Sequence, residues 1–291
     1  MRKVICVLVL YNPEISLLIR AINVIISQVD MLWISDNSTK LIAYPTEWRS
    51  SEQIRYQKMP GNIGIAAAQN EGIKYAIKEK YDFVYFLDQD SISPEGIVLQ
   101  LVSQYRLLCS KGINVGAVGP RPYNRKENVE YRGSVKKGKT LYEGITEVTE
   151  LINSASLVPV NVFKQVGLMD ESLFIDGVDH EFCWRAKRKL GSRFFIVESV
   201  KLSHQLGEGD RYFLFRKVAI PTPFRTYYQF RNYFILIRRG YVLVYWKLSN
   251  GFKYVIKYFY FPLCVPPRLG YLKNINKGVV DGLFYRCKKV I

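Results

Sequence analysis

Nowhere does this 291-residue chain hold the roughly twenty consecutive apolar residues that a membrane-crossing helix requires. The longest late run without charge lies between Lys257 and Arg268 and is interrupted by Pro262, Pro266 and Pro267, so the chain is expected to lie on a membrane rather than cross it. The apolar run 4–10 is too short for a signal peptide, has no small-residue cleavage site and flows into Tyr11, Asn12 and Pro13. It reads instead as a first β-strand. Cysteine is scarce: Cys6, Cys109, Cys183, Cys264 and Cys287 are odd in number and form no C-x-x-C pair, which argues against a disulfide framework and for a reduced, cytosolic setting. There is no internal repeat, which excludes a solenoid. Histidine is limited to His180 and His204, and by residue type alone a lone histidine is better read as structural than as a ligand.

Acidic residues are missing mainly from one end. From Lys201 onward, 17 Lys and Arg stand against Glu208, Asp210 and Asp281, a balance of +14 out of the chain's +17. These cations are interleaved with Tyr, Phe and Trp, a composition that suits an anionic membrane surface, a nucleic acid, or simply a solvated basic face. Lys247, Lys253 and Lys257 are expected to carry the electrostatic part of a membrane contact.

What is present is an α/β pattern. Apolar residues make up 48% of the chain, enough to bury a full α/β domain and an appendage. The run 4–10 reads as a strand buried on both faces, 31–35 as a second short strand, 15–27 and 62–80 as helices, and 81–88 as a further strand. Strands alternating with helices give a sheet wound in β-α-β units, whose ligand crevice lies beyond the carboxyl ends of the strands, where Tyr11, Asp36 and Asp88 fall. The segment 115–160 is polar and irregular until 151–160 turns apolar again, with a mobile loop expected over 123–140. A helix with an acidic first turn is expected within 174–190, and a linker over 207–223 leads into amphipathic helices. The domain reading is therefore 1–205 for the sheet and 206–291 for a basic, aromatic-rich helical region.

The stretch 81–90 (YDFVYFLDQD) carries an apolar strand into two carboxylates. In extended chain, residues two apart point to the same side, so Asp88 and Asp90 can converge on one hard divalent cation; equally, they can be two solvated acids in a turn. Asp36 can accept from a base N–H or ribose hydroxyl, or form the turn of its own Asp-Asn-Ser sequence.

Five ordered motifs carry a resemblance: Tyr11 to Pro13, Asp36 to Ser38, Asn62 and Gly64 with Asn70 and Gly72, Asp88 with Asp90, and the run 179–185 (DHEFCWR). Together they resemble the family 2 glycosyltransferases, inverting enzymes of the GT-A fold, and within them the bacterial rhamnosyltransferase-like group. The resemblance covers about 4–204 and extends loosely over 225–232 (RTYYQFRN). It implies a Rossmann-like, mixed but mostly parallel sheet flanked by helices. It implies Tyr11, Asp36, Asn62, Gly64, Asn70 and Asp88 at the nucleotide sugar, and Mg²⁺ or Mn²⁺ on Asp88, Asp90 and His204. It implies Asp179, matching the second acid of the family's Glu-Asp motif, as the base that deprotonates the acceptor, although Val178 stands in place of the Glu and Glu181 follows, which leaves Asp176 and Glu181 as rivals. Arg185, Arg225, Tyr228 and Arg231 are implied near the acceptor or donor phosphates.

The expected activity is inverting transfer of a sugar, L-rhamnose from dTDP-rhamnose by preference, to a polyprenyl-diphosphate-linked saccharide in bacterial surface polysaccharide synthesis, at the cytoplasmic face of the membrane. A UDP-hexose or UDP-N-acetylhexosamine donor is the alternative. A sugar nucleotidyltransferase would show a glycine-rich basic loop after its first strand, which Tyr11 to Glu14 is not. A nucleic-acid-binding protein is the remote rival, and no nucleic acid is expected.

Overall fold

The computed structural model describes residues 3–124, 129–130, 138–203, 210–213 and 216–286. It opens with β1 (Val4–Leu10), α1 (Ile15–Ile25), β2 (Met31–Asp36), the single-turn α2 (Glu47–Ser50), β3 (Ile54–Lys58), α3 (Ile65–Lys78), β4 (Phe83–Asp88) and α4 (Ile97–Ser110). There follow β5 (Val115–Asn124), β6 (Val129–Glu130), β7 (Lys139–Tyr142), β8 (Ile145–Val148), β9 (Leu157–Pro159), α5 (Val160–Val166), α6 (Val178–Leu190) and β10 (Arg193–Ser203). The strands β11 (Asp210–Phe213) and β12 (Arg216–Ala219) pair with each other, and α7 (Pro223–Ile237), α8 (Val244–Cys264) and α9 (Arg268–Leu283) complete the described chain.

Ten strands form one sheet in the order β3-β2-β1-β4-β9-β5-β10-β8-β7, with β6 attached to β5. The first four are mutually parallel, β5 and β10 are parallel, and β9 is antiparallel to both β4 and β5. This is the mixed, mostly parallel sheet the sequence implied. Its logic is the strand period of two. In β1 and β4, Cys6, Leu8, Leu10, Phe83, Tyr85 and Leu87 face the layer holding α1 and α4, while Ile5, Val7, Val84 and Phe86 face that of α3, α5 and α6. Helices on both faces explain why these runs are apolar throughout, and each such side chain contributes about 1.5–3 kcal/mol on burial. The register sets Leu10 opposite Asp36 and Val9 opposite Asp88, so β1, β2 and β4 end at one level.

Three sequence expectations are corrected. The segment 115–160 contains β5 through β9, not an irregular stretch; of the expected loop 123–140, residues 125–128 and 131–137 lie outside the described residues. The helix expected from Asn62 begins at Ile65, because Gly64 has φ +86°; the helix expected within 174–190 is met by α6, with Asp179 and Glu181 in its first turn, entered after Phe174, Asp176 and Gly177 at φ of +62°, +61° and +83°. The expected linker contains the β11-β12 pair.

The helical region is fused to the sheet domain through α7, whose Ile235 and Leu236 belong to the same buried cluster as α5 and α6. A separate cluster of Phe230, Phe261, Val265, Tyr271 and Ile275 joins α7, α8 and α9. The helices α7 and α9 approach until backbone meets backbone: a Cβ on Gly278 would sit 2.5 Å from the Tyr227 carbonyl, and one on Gly282 2.8 Å from that of Arg231. Several of the described cations in this region are engaged by the protein itself. Arg238 donates to the carbonyls of Gly282, Leu283 and Tyr285, Lys247 to that of Arg239, and Lys257 to Gln229 Oε1. Of the three lysines expected to meet lipid, only Lys253 is on the exposed face.

Candidate active site

The carboxyl ends of β1, β2 and β4 are tied together by their own side chains. The Tyr11 N–H donates to Gln89 Oε1 (2.7 Å) and Gln89 Nε2 donates back to the Tyr11 carbonyl (3.2 Å). The Asn12 N–H donates to Ser38 Oγ, and Asn12 Oδ1 accepts from the Thr39 and Lys40 N–H groups. Across this joined rim the Tyr11 side chain is left 47% exposed.

Asp36 is enclosed, with Oδ1 accepting from the Ser38 N–H (2.8 Å) and Oδ2 from Tyr56 Oη (2.6 Å) and Lys58 Nζ (3.0 Å). Burial works to raise its pKa, but the bonds from Ser38, Tyr56 and Lys58 more than offset this and hold the carboxyl below its ordinary value. Beside it Asn37, which the sequence reading passed over, donates to the Gly64 carbonyl (3.0 Å), while its Oδ1 is buried without a partner. A buried acceptor left unpaired costs about 1–3 kcal/mol and is a natural place for a ligand donor. Asn62 accepts from the Gly64 N–H (3.1 Å) at the same corner.

Opposite this rim stands the loop 171–177. Its Phe174 and Asp176 occupy the left-handed region, at about 1–3 kcal/mol each for non-glycine residues, and the surroundings enforce that conformation. The Phe174 carbonyl accepts from the Ile65 N–H at the start of α3 (2.7 Å), its ring stacks on Tyr228 (4.5 Å, 8°), and it packs so closely on Gly64 that a Cβ there would meet it at 2.6 Å. From α7, the buried Asn232 places its amide nitrogen 2.8, 2.6 and 2.9 Å from the carbonyls of Leu173, Ile175 and Asp176. Arg231 bonds the Ser172 carbonyl and lies 4.8 Å over the Tyr228 ring. Asn232 is therefore a positioning residue for the loop. Asn232→Ala is expected to lower kcat by about 10², the cost of misplacing reacting groups by an ångström, with donor affinity nearly unchanged; an unaltered kcat would remove that role.

Arg225 clasps Asp176 with bonds of 3.0, 3.0 and 2.8 Å. That hydrogen bonding, followed by the charges of Asp179 and Asp88, raises the Arg225 pKa against the effect of burial. Three carboxylates from β4 and the entry to α6 thus share one electrostatic neighbourhood. Asp88 closes β4, and Gln89 and Asp90 form a turn in which Ser91 N–H returns to the Asp88 carbonyl, so the extended geometry expected for 88–90 is replaced by a turn with Asp90 exposed. Among the described residues no three His, Cys, Asp or Glu side chains come together as a metal cage. Two hard carboxylate oxygen sources beside a diphosphate still fit Mg²⁺ or Mn²⁺, which keep waters and substrate phosphates as ligands. His204 lies outside the described residues.

Three of the implied site residues are not where a substrate could touch them. Asn70 is buried, donating to the Met169 carbonyl and Glu171 and accepting from the Met169 N–H. Glu181 and Arg185 pair behind the site at 2.8 and 2.9 Å, with 0% and 2% exposure. Glu181 also meets Arg239 (3.2 Å) and Tyr241 (2.6 Å), and Arg185 caps the Val166 and Leu168 carbonyls. Asp179, by contrast, is half-buried in the first turn of α6, its Oδ1 accepting only from the neighbouring His180 N–H among the bonds seen.

The model of glycosyl transferase family 2 matches residues 6–166. The chain is 32% identical over 249 residues to dTDP-rhamnosyl transferase RfbF of Shigella flexneri, covering 82% of this chain and 81% of that one. Among solved structures, S. aureus TarS 1-349 in complex with UDP-GlcNAc superposes with a TM-score of 0.58 at 14% identity, over 97% of this chain and 81% of that one. GalNAc-T7 with UDP, GalNAc and Mn²⁺ gives 0.53 at 13%, over 91% and 58%. The two structural likenesses show the fold.

Proposed function

Because this chain belongs to glycosyl transferase family 2, we propose that it transfers L-rhamnose from dTDP-rhamnose, with inversion, to a saccharide hydroxyl on a polyprenyl diphosphate carrier in bacterial surface polysaccharide synthesis. The observation that carries the chemistry is the Arg225–Asp176 pair at the entry to α6, whose guanidinium also feels the charges of Asp179 and of Asp88 at the end of β4. Similarity to a rhamnosyl transferase over most of both chains supports the sugar.

The exposed Tyr11 ring offers a face to the base, with Asn62 at the neighbouring corner and, enclosed behind it, Asp36 and the unpaired Asn37 oxygen. Asp88 and Asp90 would hold Mg²⁺ or Mn²⁺, which neutralises charge building on the departing diphosphate. Asp179 takes the acceptor proton while the acceptor oxygen bonds to the anomeric carbon and the bond to the diphosphate breaks. Asp176, engaged by Arg225, orients rather than abstracts.

Attachment to the inner face of the membrane is supported by α8. Val244, Leu248, Phe252, Val255, Phe259 and Leu263 recur every three or four residues and are 59–72% exposed. Such a stripe lies in the lipid interface, and no described helix is long and apolar enough to cross it. The inward turn of Lys247 and Lys257 makes this contact apolar more than electrostatic.

Thermal shift against a panel of nucleotide sugars tests the reading. A donor at a hundred times its Kd adds about 2.7 kcal/mol of stability. The dTDP-rhamnose shift should need Mg²⁺ or Mn²⁺ and vanish in Asp90→Ala, whose exposed carboxylate plays no part in the core. A shift with a UDP-hexose instead would overturn the sugar, and one that survives EDTA would overturn the metal.

A further inference from the structure

Between α7 and α8 runs an open, almost wholly apolar groove of about 390 Å³, walled by Phe230, Tyr233, Tyr254, Tyr258 and Phe259 and edged by Val255. It is continuous with the lipid-facing stripe, because Val255 and Phe259 belong to both. On its Tyr254 side the groove is bordered by a lysine. Lys257, one residue before Tyr258, donates to Gln229 Oε1 (3.3 Å) and lies 5.2 Å over the Tyr254 ring, and it feels the charges of Asp176, Arg225 and Lys253. Burial first, and repulsion from Lys253 and Arg225 after it, hold the Lys257 pKa below its ordinary value, with Asp176 pulling the other way. Arg225 is taken up by Asp176, whereas among the described residues no carboxylate is bonded to Lys257 or to Lys253 one turn before it, so the two ammonium groups beside the groove are open to an anion.

We propose that this groove binds the first isoprene units of the acceptor's polyprenyl chain, with its diphosphate held by Lys257 and Lys253, so that the saccharide beyond is delivered to Asp179. The assignment rests on the lipid-linked acceptor of the proposed function and adds the residues that select it. An apolar tail enters from the bilayer side, where α8 is already immersed, and the doubly charged head stops at the lysines because the polar site begins there. Lys253 and Lys257 are one helical turn apart and can bracket one diphosphate.

Farnesyl diphosphate is the probe, below its micelle concentration, titrated into the full chain by calorimetry, with farnesol and inorganic pyrophosphate as its two halves. Val255→Trp fills the groove from an exposed position, and Lys257→Met removes the inner cation while keeping its stem. Saturable binding of farnesyl diphosphate is expected, weakened about tenfold or more in either variant, the size of one lost charge-assisted contact or its equivalent in apolar burial. Farnesol should lose affinity only in Val255→Trp, and both variants should keep the wild-type melting point and donor shift. Equal binding by wild type and variants overturns the proposal, as does pyrophosphate binding as tightly as the whole probe, which marks a free-phosphate site. A dimer in solution that Val255→Trp dissociates also overturns it, since a second copy then covers the groove. Transfer assays separate this from the transferase reading. If the wild type glycosylates both lipid-linked and short alkyl acceptors and the variants lose neither, the groove fails alone; if no acceptor is glycosylated while the probe behaves as stated, the activity fails alone.

Discussion

Asp179→Asn should bind donor like the wild-type chain and transfer sugar about 10²–10⁴-fold more slowly, the usual loss with a general base. The substitution keeps shape and removes only the capacity to accept a proton. The structure sharpens the choice among the three acids at the entry to α6. Asp176 is clasped by Arg225 through three contacts, and Glu181 is fully buried among two arginines and a tyrosine, so neither is presented to an acceptor hydroxyl. Asp179 lies between them in sequence but on the outward side of the first turn. Donor binding by thermal shift and single-turnover transfer measured on one preparation decide the matter: a near-normal transfer rate in Asp179→Asn would return the role to Asp176.

The largest effect on stability is expected from Glu181→Gln. Glu181 and Asp170 together face Arg185 and Arg239, and removing one carboxylate leaves two enclosed guanidinium groups sharing the other. Breaking a buried pair from one side costs about 3–5 kcal/mol, which in a chain of this size lowers Tm by roughly 10 °C. The direction of the titrations agrees. Burial alone would raise the Asp170 pKa and lower that of Arg239, yet their mutual attraction shifts each the opposite way. Calorimetry gives the stability, and assays well below the lowered Tm give the chemistry: kcat within a few-fold of wild type is expected, and a Glu181→Gln protein that is fully folded but inactive would make this residue the base.

Much of the sheet was legible because its evidence is local. The runs of β1, β2 and β4 are apolar on both faces and each ends at the residue singled out for chemistry, Leu10 before Tyr11, Asp36 and Asp88. The strands from β5 to β9 were missed. In β5 the apolar pattern is broken by Gly119, Pro120, Arg121 and Pro122, and β8 and β9 have four and three residues, so their pairing is decided by distant partners. In the site, residue types were readable but their direction was not. Val178, Glu181, Phe182 and Arg185 recur at the spacing of one helix face, and that face is buried. A charged pair four apart inside an apolar stripe was the available sign that Glu181 and Arg185 serve α6 and not the sugar. The role of Asn232 had no such sign, since nothing local announces that an amide in α7 will hold three carbonyls some sixty residues earlier.

The glycines of α9 bear on how the chain acquires its activity during synthesis. Domains generally fold from the N-terminal side as they leave the ribosome, and β1 to β4 pair with one another before any later strand is made. The loop with Asp176 leading to Asp179 has to wait, because its fixed shape depends on Asn232, and α7 is seated by the backbone contact that Gly278 and Gly282 permit. The loop that carries Asp176, and with it the Gly64 corner on which Phe174 packs, therefore takes its final shape only after residue 282 has been added.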